Sequence, residues 1–207
     1  MPILALLFFL KAQYNFKPVD AFETSILELP KNSEELSLKK NINIISFLGH
    51  DILNNKNVFF NLNQKINKRF KVYKHLKLVV VTLDANKKAV NDILSELQQT
   101  ADADIEKWNI VYLDEIAYKN YYNGFNVNIA LDKNLNAPLT FLIDENLVLR
   151  GREDDKDNGR MLGYDANDVS QVNKLKDDVK MLLKEFSVHN NENKANRKSN
   201  INLKDEE

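Results

Sequence analysis

Hydrophobic and polar positions change period several times along the 207-residue chain, and each change marks an element. Ile42 to Leu48 (INIISFL) and Leu76 to Leu83 (LKLVVVTL) are short, apolar, β-branched runs, the pattern of strands buried on both faces inside a parallel sheet. Between them Phe59, Leu62, Ile66, Phe70 and Tyr73 recur every three or four residues, which predicts an amphipathic helix from about Asn57 to Lys74. Strand, helix and strand make a β-α-β unit, and the unit repeats. Val90, Ile93, Leu94 and Leu97 mark a second helix, with Asp84 or Asn86 near its start as a cap. Trp108 to Leu113 (WNIVYL) reads as a third strand, and Asp114 opens a short helix carrying Ile116, Tyr118, Tyr121 and Tyr122.

The second half changes character. Pro138 to Asp144 (PLTFLID) and Leu147 to Arg152 (LVLRGR) are expected strands joined through Glu145-Asn146, a tight polar connection that suits an antiparallel hairpin. Val172, Leu175, Val179, Leu182, Leu183 and Phe186 then form the apolar stripe of a final helix, behind a capping region at Asp165 to Asp168. The order β-α-β-α-β-α-β-β-α is the thioredoxin-like arrangement, an α/β fold with a central mixed sheet flanked by helices.

The two ends fall outside this alternation, giving three segments: an apolar stretch over 1–13, the domain over 14–186 and a polar tail over 187–207. Pro2 to Leu10 is continuously apolar but would reach only about 14 Å as a helix, half of a bilayer's hydrocarbon thickness. No basic side chain precedes it, as one would in a secretory signal. Three readings stay open: the end of a membrane tether, a degenerate signal, or an apolar segment docked on the domain. The first two make the protein membrane-associated or periplasmic, and the third leaves the cytoplasm open. Ser187 to Glu207 scatters Val188, Ile201 and Leu203 among polar residues and is expected to be a disordered, solvated end.

Composition narrows the chemistry. The chain is 43% hydrophobic, enough for a core, and its 29 basic and 30 acidic residues leave a net charge of -1, so no general field draws in nucleic acid. It contains no cysteine, which excludes disulfides, thiolate nucleophiles, iron–sulfur clusters and Cys-ligated zinc. The nucleotide-binding glycine loops, the Gly-x-Ser-x-Gly elbow and the His-Glu-x-x-His zinc motif do not occur either. The expectation is a protein that is not an enzyme, with no cofactor and no metal.

Over roughly Leu36 to Phe186 the chain resembles the thioredoxin-fold SCO/SenC copper-chaperone family without its cysteines. Glu35-Leu36-Ser37-Leu38 ahead of Ile42 to Phe47 is similar to the family's segment before its first core strand, and FLID-x-N-x-x-x-RG (Phe141 to Gly151) is similar to its later hairpin. Where the family opens its first helix with Cys-x-x-x-Cys, this chain has Gly49-His50-Asp51-Ile52-Leu53-Asn54-Asn55-Lys56-Asn57. Aligning Leu142-Ile143-Asp144 places Asn136 at the family's distal histidine and Pro138 where thioredoxins carry a cis-proline. The resemblance therefore implies a retained scaffold from which all three metal ligands are gone.

Residues left at that centre define the candidate site: His50, Asp51, Asn136 and Pro138. The leading expectation is a non-catalytic binding or accessory module that meets an unidentified protein partner there. The alternative is a weak metal-handling protein in which a His50 nitrogen and an Asp51 oxygen take Cu(II) or Zn(II). Against that stands the plainer reading, in which Asp51 or Asn57 caps the helix and His50 is a partly exposed loop residue. Glu153 to Gly159 has the carboxylates of a calcium loop but not its spacing, with Asn158 where glycine is needed and Tyr164 where a bidentate Glu is needed. It is read as a solvated loop whose acids are screened by Arg150, Arg152 and Arg160. Tyr112, Tyr118, Tyr121, Tyr122 and Phe125 divide between core and a possible partner surface. His75 is placed at the end of the first helix, where a cation favours the dipole, and His189 lies in the tail.

Overall fold

The computed structural model describes residues 18–30, 36–101 and 103–202, with side chains to 189. In chain order the elements are β1 (Asp20–Ser25), β2 (Ile42–Leu48), α1 (Lys56–Leu62), β3 (Leu76–Leu83), α2 (Lys87–Ala101), β4 (Trp108–Leu113), α3 (Glu115–Asn123), β5 (Thr140–Ile143), β6 (Val148–Asp155), β7 (Gly159–Met161) and α4 (Val169–Asn202). The strands form one seven-stranded sheet in the order β1-β6-β5-β2-β3-β4, with β7 paired to β6. β2, β3 and β4 run parallel, whereas β5, β6 and β1 are joined by antiparallel ladders. This is the mixed sheet flanked by helices that the hydrophobic pattern implies.

β2 explains why the run INIISFL has no polar face. Ile42, Ile44 and Leu48 pack under α1, α2 and α4, while Ile45 and Phe47 pack on the opposite side with α3. Both faces are buried, so alternation disappears. Ser46 is kept inside this strand by a 2.8 Å hydrogen bond to Thr140, its cross-strand partner on β5. On the α3 side, Phe47 touches the rings of Tyr118, Tyr121, Tyr122, Phe125 and Phe141 at centroid separations of 5.0–6.3 Å. The aromatic stretch is therefore core, apart from half-buried Tyr112 on β4, and it offers no exposed partner surface.

Several expectations are corrected. The helix predicted over Asn57 to Lys74 is α1 followed by a π-helical turn, Asn63–Asn67. Asn67 Nδ2 donates to Asn63 Oδ1 and to the Asp104 carbonyl, and Asn63 Nδ2 donates to the Ala101 carbonyl, so two buried amides tie the wider turn to the end of α2. His75 thus lies beyond any helix, exposed and packed against Phe186 at 5.1 Å. Neither Asp51 nor Asn57 caps α1: the N-cap is Asn55, without a side-chain bond. Asp114 does cap α3, accepting from the Ala117 amide at 2.8 Å. β1 and β7 carry no recognisable pattern in the sequence; β1 buries only Phe22 and is held as an edge strand by β6. β6 runs on to Asp155, through part of the stretch read as a loop.

The backbone of α4 stays helical to Asn202, across most of the segment read as a disordered tail; residues 187–202 contain no proline or glycine to stop it. Among the described residues no helix is long and apolar enough to cross a membrane. The apolar run Pro2 to Leu10 lies outside the described residues.

Candidate functional site

At the C-terminal end of β2 the chain passes directly against the loop before β5. The Gly49 amide donates to Asn136 Oδ1 at 2.8 Å, and the Gly49 carbonyl accepts from Asn86 Nδ2 at 2.6 Å. The His50 amide donates to the Asn134 carbonyl at 2.7 Å, and the Ala137 amide to the Phe47 carbonyl at 3.0 Å. A Cβ on Gly49 would lie 2.1 Å from the Asn134 oxygen, so glycine is required by close approach. Asn86, expected near a helix cap, is instead a buried brace that also donates to Thr82 Oγ1.

The loop across from Gly49 is organised by Asp132. Its carboxylate accepts from the amides of Asn134 and Asn136 and from Asn136 Nδ2. Burial pushes the Asp132 carboxyl up, but these hydrogen bonds outweigh it and hold it below its ordinary value. From α3, Tyr118 donates its hydroxyl to the Leu135 carbonyl at 2.7 Å; burial pushes that phenol far up, so it stays a neutral donor.

The sequence-predicted residues meet here, with different roles. Asn136 is buried and both ends of its amide are used, so it is a brace beneath the surface and presents nothing outward. Pro138 is exposed, and no cis peptide bond occurs among the described residues, so the bond before it is trans where the resemblance implied cis. Asp51 turns toward the start of α1, its Oδ2 accepting from Asn54 Nδ2 at 2.8 Å. His50 is 51% exposed with Nε2 3.6 Å from Glu115 Oε2 on α3. A hydrogen bond from Lys119 lowers the Glu115 carboxyl below its usual value. Leu53, three residues after His50, and Ile116, beside Glu115 and grouped in the sequence with the buried tyrosines of α3, are large apolar side chains 59% and 75% exposed, a role at the surface that the sequence reading did not assign.

Among the described residues no group of three or more His, Asp or Glu side chains is placed to hold a metal ion. A second charged cluster pins α4 to β6. Arg152 spans Asp178, at 2.7 and 2.8 Å, and Asp155, at 2.9 Å; Tyr164 donates to Asp178, and Lys174 joins Asp155 to Asp157. Asp155 Oδ1 also accepts from the amides of Asp157 and Asn158, so the carboxylates of the calcium-like stretch face donors. Arg152, on Asp155, and Arg160, on Glu153, screen the stretch as expected; Arg150 instead joins Asp144 to Glu185.

No protein-family model matches the sequence, and no curated protein matches it. Solved structures do. BsSco, a member of the Sco family of cytochrome c oxidase assembly proteins, superposes with a TM-score of 0.50 at 8% identity, covering 78% of this chain and 97% of that one. A SCO1/SenC family lipoprotein from Bacillus anthracis str. Ames gives 0.49 at 14% identity, over 80% and 95% of the two chains. The thioredoxin domain of a thiol-disulfide oxidoreductase from Bacteroides vulgatus gives 0.42 at 17%, over 77% and 95%. The chain therefore has a thioredoxin-like fold, similar to that of Sco-family structures and built without a single cysteine.

Proposed function

We propose that this protein is a non-catalytic accessory module, facing the cell envelope, that binds a protein partner through the surface around His50, Asp51 and Pro138, with Asn136 bracing it from below. The observation that carries this reading is the loop at Gly49. Its peptide groups are held by three asparagines at the place where the scaffold's chemistry would sit, while His50 and Leu53, near it in the chain, Pro138, close behind Asn136, and Ile116, beside the Glu115 that faces His50, are exposed. Preorganised backbone with exposed apolar anchors suits recognition, because little ordering cost remains to be met on binding. The apolar run Pro2 to Leu10 supports the envelope-facing part.

The test is a photo-crosslinking amino acid placed at Leu53, at Ile116 and, as control, at Val72, which lies before β3 at the opposite end of the sheet. In the native cell the first two positions should yield one common adduct that Val72 does not, in the membrane or envelope fraction. Identical patterns from all three positions would defeat the reading.

A further inference from the structure

β4 is the last strand of the sheet, and no strand lies beyond it among the described residues. Its ladder with β3 runs through six consecutive pairs, Leu78↔Trp108 to Leu83↔Leu113, without a bulge. Alternate residues of such a strand direct their N–H and C=O groups away from the sheet. Natural edges are usually blunted by charge, proline or a bulge, yet WNIVYL has no charged residue, no proline and no glycine. It is an open template for strand addition.

What fits it is decided by the ends. Lys107, the cation adjoining the strand, is turned inward, its Nζ donating to the carbonyls of Phe70 and Tyr73. Asp104 and Glu106 before the strand, and Asp114 after it, are exposed and in no ion pair among the described residues. Asp104 and Asp114 are fixed in place by accepting from the Glu106 and Ala117 amides. Glu115 follows, partnered by Lys119, and near the strand's middle Lys87 covers Tyr112 while held by Asp84. A second copy pairing antiparallel, with Trp108 opposite Leu113, would bring Glu106 against Glu115, a like-charge contact that disfavours self-association.

We propose that the outer edge of β4 accepts an extended peptide segment with an uncharged, β-branched centre and basic flanks. The backbone ladder supplies the attachment, and the acidic ends select the flanks.

The experiment uses the full chain and a synthetic peptide with a Val-Thr-Ile-Thr-Val centre between Lys-Lys pairs, a Glu-flanked twin, and a version N-methylated at alternate amides. The Lys-flanked peptide should bind about tenfold more tightly than its twin, as several exposed charge contacts acting together would give. Its binding should shift the Trp108 to Leu113 amides in NMR spectra, and N-methylation should abolish it. Glu106→Lys should weaken the Lys-flanked peptide, whereas Leu53→Ser should leave its affinity unchanged, which separates this surface from the one around His50. No saturable binding, equal affinity for the two flanking charges, or concentration-dependent dimerisation protecting the same amides would overturn the proposal.

Discussion

Asn136 holds Gly49 by its backbone: the side-chain oxygen accepts the Gly49 amide at 2.8 Å across a sequence separation of 87 residues. The same amide group reaches down to Asp132 through Nδ2. A residue standing where a metal-ligand histidine is implied by resemblance thus works as a connector between two loops. The end of β2 is fixed in place by this connector, and the surface above it inherits that rigidity.

Asn136→Ala should leave the buried Gly49 amide without an acceptor and cost roughly 2 kcal/mol of stability, within the usual penalty for an unsatisfied buried donor. Gly49→Ala should cost more, about 3 kcal/mol, because the new methyl collides with backbone atoms of Asn134 and Leu135 that cannot rotate away. Urea unfolding of both variants checks the order; Gly49→Ala at wild-type stability would mean that the two loops are not in contact.

Much of the scaffold is legible in the sequence because burial writes itself into the pattern. β2 and β3 are apolar on both faces and so appear as unbroken runs, and the stripe from Val172 to Leu183 is the buried face of α4. The break after α1 was hidden for the opposite reason. Ile66 and Phe70 keep the helical spacing through the π turn, while the residues that widen it, Asn63 and Asn67, look like surface positions although both are buried. β1 was hidden because its exposed positions, Glu23 among them, outnumber its buried ones. At the site, the position of His50 could be found from the sequence, but the roles of Asn86 and Asn136 could not. Their hydrogen bonds reach Gly49 over 37 and 87 residues, and an isolated asparagine carries no sign of such a partner.

Phe47 should be the most sensitive core position on the α3 side, since its ring meets five others, at edge-on angles for Tyr118, Tyr122, Phe125 and Phe141. Phe47→Leu keeps an apolar side chain but gives up these contacts and leaves space, for an expected loss of about 2 kcal/mol. Thermal denaturation followed by near-ultraviolet circular dichroism, which reports the tyrosines, would register both the lower midpoint and a changed aromatic signal. An unchanged spectrum would count against the cluster.

Arg152 and Tyr164 share Asp178. Arg152→Met removes the cation from two carboxylates, so it should cost about 3 kcal/mol, whereas Tyr164→Phe deletes one neutral donor and should cost about 1 kcal/mol. The double variant should not give the sum, because each residue's bond to Asp178 depends on the charge that the other leaves there. Strict additivity in denaturant unfolding would show that the two act independently.

Asp155 supplies a pH dependence with a definite sign. A hydrogen bond from Lys174 holds its carboxyl well below the usual carboxylate range; desolvation opposes this, and bonds from Arg152 and Asn158 add to it. A carboxyl whose folded pKa is depressed contributes stability that is fully present above its unfolded value, about 3.9, and is lost as pH falls through the folded value. The protein should therefore lose stability below about pH 4, where the unfolded chain takes up a proton that folded Asp155, held by Lys174 and Arg152, still excludes. In Asp155→Asn the deficit relative to the parent should be constant at neutral pH and narrow steadily toward about pH 2, since proton uptake by the parent's unfolded chain progressively removes the advantage of the folded carboxylate. Urea midpoints measured for both proteins across that range decide it: a deficit that stays level through the acid limb would mean that Asp155 is not what couples α4 to the proton concentration.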